Sequence, residues 1–146
     1  MVLLITPPFT QLNTPYPATA YLKGFLETKG ISSMQCDLGI EVIIKIFSSN
    51  GLLDLFQHIH QHPMEMSENS KRIVAMQQRY IETIDAIILF LQGKNNSLAH
   101  RICQPNFLPQ ASRFQYKKEV QDLFGTMGIF DKAKHYATLY VEDIAD

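Results

Sequence analysis

The feature that most restricts this chain is a doubled proline that halts a buried-type strand almost as soon as it has begun. Val2 to Ile5 is a continuous Val, Leu and Ile run, the pattern of a strand covered on both faces of a parallel sheet. Pro7 and Pro8 end it, because each lacks a backbone donor and fixes its own φ. The polar, proline-rich stretch through Pro17 is then expected to be a loop leaving the strand's carboxyl end. From Ala18 to Lys29 the apolar residues Ala18, Tyr21, Leu22, Phe25 and Leu26 recur at spacings of three and four, which predicts a helix with one buried stripe. Pro17 suits its first turn and Gly30 its left-handed stop. Ser32 to Asp37, with Met34 and Cys36 on one side in alternation, offers a second strand.

Strand, helix and strand within some forty residues make a βαβ unit, and the fold class read from the sequence is α/β. Ligands of such units gather beyond the carboxyl ends of the strands, here the Pro7 to Pro17 loop and the Asp37-Leu38-Gly39 corner. Past that corner the periodicity becomes helical. Helices are expected at Ile40 to Phe47 and Leu52 to Ile59, parted by Ser48-Ser49-Asn50-Gly51, and in one long run from Ser70 to Leu91. Further helices are expected over Ser97 to Cys103, Gln115 to Gly125 and Asp131 to Ile144. The expected organisation is a βαβ unit over 1–47 and a helical extension over 48–146 packed on it as one domain.

Composition removes several function classes. Hydrophobic residues make up 46% of the 146 positions and charged ones 18%, which suits a packed protein. Thirteen basic against fourteen acidic residues leave a net charge of −1, so neither nucleic acid nor an anionic membrane is broadly attracted. The basic cluster of Ser112-Arg113-Phe114 with Lys117-Lys118 reads as a solvated helix surface. The greasiest run, Ile84 to Leu91, is too short to span a bilayer, and the first residues lack a basic leader, so a soluble cytoplasmic protein is expected. Cys36 and Cys103 stand in unrelated contexts and read as reduced structural thiols.

The run Leu3-Leu4-Ile5-Thr6-Pro7-Pro8-Phe9, followed by Tyr16-Pro17-Ala18-Thr19-Ala20-Tyr21-Leu22-Lys23-Gly24-Phe25-Leu26, resembles the N-terminal cobalamin-binding-like region of radical SAM proteins. The likeness covers about the first 45 residues, with Gly30 preceding a second strand that ends in Asp37. Asn106-Phe107-Leu108-Pro109 and Ser112-Arg113-Phe114 look like a helical extension in one bacterial branch of these proteins. The resemblance implies a Rossmann-like unit ahead of a catalytic barrel of the same polypeptide, which would bind an iron-sulfur cluster and S-adenosylmethionine.

Two departures define what this chain lacks. It has no CxxxCxxC motif, whose three thiolates hold the cluster, so iron-sulfur and S-adenosylmethionine chemistry is expected only in that barrel. It also has no DxHxxG motif to offer cobalt a histidine. A fragment is expected, since the sequence ends inside an apparent helix at Asp146, and a fragment should expose apolar surface and tend to self-associate. The residues read as lining a cofactor pocket are Pro7, Pro8, Phe9, Thr10, Asn13, Thr14 and Tyr16, with Asp37 across from them; a tight surface turn is the plainer alternative.

Other clusters carry less. His58 and His62 share a helix face at zinc-ligand spacing, but two histidines need further ligands and Pro63 closes the segment. Asp37 resembles a ribose-binding acid, yet the loop before it lacks GxGxxG, which argues against nicotinamide cofactors. Glu41, Asp85, Glu119 and Asp122 read as solvated helix faces, and the methionines as gap fillers or interface surface. The leading expectation is a cobalamin-type accessory domain of a radical enzyme, not catalytic by itself. The rival is a vestigial βαβ unit, without cofactor, whose helical part docks protein.

Overall fold

Strand β1, Val2–Thr6, lies parallel to β2, Ser33–Asp37, with Val2 beside Ser33 and Thr6 beside Asp37. The computed structural model describes residues 1–8, 16–116 and 128–146, and among these the sheet has only the two strands. Between them runs helix α1, Pro17–Thr28. Tyr16 stands extended ahead of it and Pro17 takes the first helical position, where a missing donor costs nothing. At its other end Gly30 adopts φ 68°, so that Gly30 N–H reaches Glu27 and Ile31 N–H reaches Leu26, both at 3.0 Å. These two bonds close the last carbonyls of the helix, and a side chain at Gly30 would strain them. Helix α2, Leu38–Ile46, follows β2 directly, its only charges Glu41 and Lys45. Both helices contact β1, and α1 also contacts β2.

The chain divides into two compact units, 1–46 and 47–146. The α/β class is as read, with a βαβ start followed by helices. The burial of the first unit is not. Leu3 and Ile5 are about half exposed, so β1 is not covered on both faces. The α1 stripe is likewise open: Tyr21 is 78%, Phe25 58% and Leu22 51% exposed, while the half-buried positions are Thr19, Lys23 and Leu26. Two strands make too narrow a floor to cover a helix stripe, and no large apolar side chain described in 1–46 is buried.

The second unit holds the core. Helix α3, Ser49–Gln61, starts three residues earlier than its periodicity suggested, because Ser48 caps it by accepting from Gly51 N–H at 3.1 Å. Asp85 also accepts from Ser49 N–H at 2.9 Å. The expected single helix of 70–91 is two, α4, Glu68–Ala75, and α5, Gln77–Leu91, broken at Met76 with φ −105° and ψ 13°. Apolar spacing runs straight across this break, since Ile73, Tyr80, Ile84 and Ile87 are all buried, and so the periodicity conceals it. Gly93, φ 73°, terminates α5 with the same pair of bonds used after α1. A 3-10 turn at Asn96–Leu98 leads into α6, Ala99–Ile102, and a second turn covers Ser112–Tyr116. The final helix α7 is Ile129–Ala145. Most of the helix expected at Gln115 to Gly125 lies outside the described residues.

Two tyrosines at the centre of this core predict opposite mutational signs. Their rings lie 5.1 Å apart, and Tyr140 donates its hydroxyl to the Tyr80 carbonyl at 3.0 Å, with the Thr83 hydroxyl 2.9 Å away. The Tyr80 hydroxyl is fully buried and finds no hydrogen-bond partner among the described residues. Burial chiefly, and then the charge of Asp143, pushes this phenol above its ordinary range. Removing an unsatisfied buried hydroxyl removes its desolvation cost, so Tyr80→Phe should gain about 1 kcal/mol, whereas Tyr140→Phe should lose about 1–2 kcal/mol. Urea unfolding measures both, and a destabilised Tyr80→Phe would contradict the assignment.

Candidate functional site

Parallel register brings Thr6 and Asp37 side by side at the carboxyl ends of the strands. The depression that opens there is lined by Thr6, Tyr16, Thr19, Ala20, Gln35, Cys36, Asp37 and Ile40, with a volume of about 240 Å³. Each wall has a local cause. Thr6 is the last residue of β1 and is 5% exposed. Tyr16 is fixed by the extended entry to α1, and Thr19 and Ala20 sit on the first turns of that helix. Gln35, Cys36 and Asp37 close β2, and Ile40 lies in the first turn of α2.

Asp37 is partly committed to structure. Its Oδ1 accepts from Ile40 N–H at 3.1 Å and so caps α2. The depression therefore offers a buried hydroxyl, an amide, a thiol and a capping carboxylate against an aromatic and an apolar wall. Such a set can orient a polar, uncharged ligand edge by hydrogen bonds.

Of the residues expected here from sequence, Tyr16 and Asp37 line the depression. Pro7 is exposed and Pro8 half-buried at the turn that leaves β1, and neither lines it. Phe9, Thr10, Asn13 and Thr14 lie outside the described residues. Thr6, Thr19, Gln35 and Cys36 were missed. For Thr6, Gln35 and Cys36 the signal was positional, since they lie at the carboxyl ends of parallel strands, whereas Thr19 enters from the first turns of α1.

A second cavity, about 400 Å³, belongs to the helical unit and is lined chiefly by Leu55, Phe56, Ile59, Met64, Met66, Ile73, Val74 and Ile144, with Glu65, Ser67, Ser70 and Asp146 at its polar margin. Those polar groups largely serve each other: Ser67 and Ser70 hydroxyls lie 2.8 Å apart, and Asp146 takes bonds from Asn69 and Arg113 at 3.1 Å. Met64 and Met66 thus stand where a flexible apolar wall is needed.

The remaining clusters have structural employment. His58 and His62 stack at 4.4 Å, and His60 Nε2 meets Gln77 at 3.1 Å. Among the described residues no three His, Cys, Asp or Glu side chains are grouped to hold a metal. Asp85 caps α3, Arg113 pairs with Asp146, and Phe114 is buried. Glu119, Asp122, Lys117 and Lys118 lie outside the described residues. Among the described residues no helix is long and apolar enough to cross a membrane. No protein-family profile, curated protein or solved structure matches this chain.

Proposed function

We propose that residues 1–46 form a cobalamin-binding-like accessory unit of a cytoplasmic radical SAM iron-sulfur enzyme, which holds and orients a cofactor without breaking bonds itself. The observation that carries this reading is the depression beyond the carboxyl ends of two parallel strands, where Thr6, Tyr16 and Asp37 converge. Its hydroxyl and amide groups suit the amide-bearing rim of a corrinoid. At about 240 Å³ the described part falls below the roughly 300–1,000 Å³ of ordinary ligand pockets, so these residues fit an edge of the ring and not the whole of it. A bound corrinoid supplies organometallic chemistry at cobalt, while the chain contributes binding, orientation and exclusion of water. Cys36 and Cys103 do not make a three-thiolate site, so the cluster and S-adenosylmethionine belong to a catalytic barrel in the same polypeptide.

Reconstitution tests it. Protein mixed with hydroxocobalamin and desalted should keep a corrinoid spectrum near one equivalent, and Thr6→Leu, which crowds the depression, should lose about tenfold in affinity. A colourless wild-type protein after desalting refutes cofactor binding. The second reading, a βαβ unit without cofactor whose helical part docks protein, is favoured by the exposed Leu53, Leu55, Leu89 and Leu91 of the helical unit.

A further inference from the structure

The cavity of the helical unit has a fixed floor and an adaptable wall. Phe56 of α3 and Ile73 of α4 line it and are buried members of the core, so their positions hold whether or not anything fills the recess. Ile144 of α7 lines it as well, and the Asp146 carboxylate just beyond α7 is tied to Asn69 of α4 and to Arg113. The adaptable wall is the irregular segment between α3 and α4. There Met64 and Met66 present unbranched thioether chains, which can repack around guests of different shape. The volume, about 400 Å³, lies in the range of small-molecule sites, roughly 300–1,000 Å³. An apolar cavity of roughly 150 Å³ holds one benzene, so this recess has room for a body roughly two to three times that size.

Charge at the rim selects the guest. The Ser67 hydroxyl is spent on structure, since it accepts from Ser70 N–H at 3.0 Å and lies 2.8 Å from the Ser70 hydroxyl. Asp146 is likewise committed to Asn69 and Arg113. Glu65 differs: its carboxylate has no partner among the described residues, and no Lys, Arg or His side chain among them lines the cavity. An unpaired acid at the edge of a hydrocarbon-lined recess attracts an ammonium group and repels a carboxylate. We infer that this cavity binds an amine carried on a hydrocarbon body of about ten carbons, with the body over Phe56 and Ile73 and the ammonium at the rim against Glu65. The inference is independent of the cofactor role proposed for residues 1–46.

Calorimetric titration of the 146-residue chain with n-decylamine, below its micelle concentration and near neutral pH, should saturate at about one equivalent. Because an exposed ion pair contributes little, n-decanol should bind only about threefold more weakly, whereas decanoate, repelled by Glu65, should bind at least about tenfold more weakly. The methyl resonances of Met64 and Met66 should shift on binding, while that of Met34, in the other unit, should not. Glu65→Gln, at an exposed position, should weaken decylamine about threefold and leave decanol unchanged. Val74→Phe, which fills the recess, should weaken all three probes at least about tenfold. Should that variant fail to fold, the methionine shifts and Glu65→Gln still decide. No saturable binding, decanoate binding as tightly as decylamine, shifts at Met34 in place of Met64 and Met66, a preference for the amine that survives Glu65→Gln, or a folded Val74→Phe that binds unchanged would each overturn the inference.

Discussion

Replacing Asp143 by alanine should cost about 3 kcal/mol and lower the melting temperature of the helical unit by roughly 15 °C. This carboxylate, on α7 and wholly buried, accepts from Ala111 N–H at 3.1 Å and Arg113 N–H at 2.9 Å, with the Ser112 hydroxyl at 3.5 Å. It thereby satisfies the start of the 3-10 turn at Ser112–Tyr116, and its loss leaves two backbone donors unpaired beside the core. Burial outweighs these bonds and raises its pKa above the ordinary 3.8. Between that value and the raised one the folded chain binds more protons than the unfolded chain. Its contribution to stability therefore falls as pH climbs through that window and stays lower above it. Measured against Asp143→Asn, which cannot ionise, the wild type should lose relative stability from about pH 4 upward. A flat difference across that range, or a cost below 1 kcal/mol for the alanine variant, would remove Asp143 from this role.

Phe90→Ala should cost about 4 kcal/mol, the largest single loss among the apolar residues considered. Phe90 is 1% exposed near the end of α5 and meets Phe130 of α7 edge to face, 5.4 Å between centroids. Truncation opens a cavity where the start of α7 packs on α5, and it forfeits an aromatic pair worth about 0.5–1.5 kcal/mol beyond its area. The denaturant midpoint should fall while the slope is unchanged, since folded and unfolded states keep their exposed areas. A loss below 2 kcal/mol would mean that the end of α5 repacks freely.

Sequence periodicity located most of what backbone rules alone determine. Proline after β1 and glycine after α1 and α5 each act over a few residues, and these ends stand where expected. Side-chain bonds over longer spans were invisible. Asp85 holds the start of α3 from thirty-six residues away, and Asp143 holds the 112–116 turn from thirty. No local pattern separates such residues from solvated acids. The break at Met76 was hidden for the opposite reason: without proline or glycine, only its dihedrals betray it. At the depression, Tyr16 and Asp37 were legible as the end of the proline-rich loop and the end of β2, whereas the neighbouring strand residues Thr6 and Gln35 carry no such mark in the sequence.

The contrast between the units bears on how the molecule can be watched unfolding. Hydration of newly exposed apolar groups supplies the heat-capacity increment of denaturation, and the buried apolar side chains among the described residues all lie beyond Phe47. Calorimetry therefore reports on the helical portion and passes over the strands almost silently, so a thermogram with a single sharp peak carries no information on whether the two-stranded sheet is still formed.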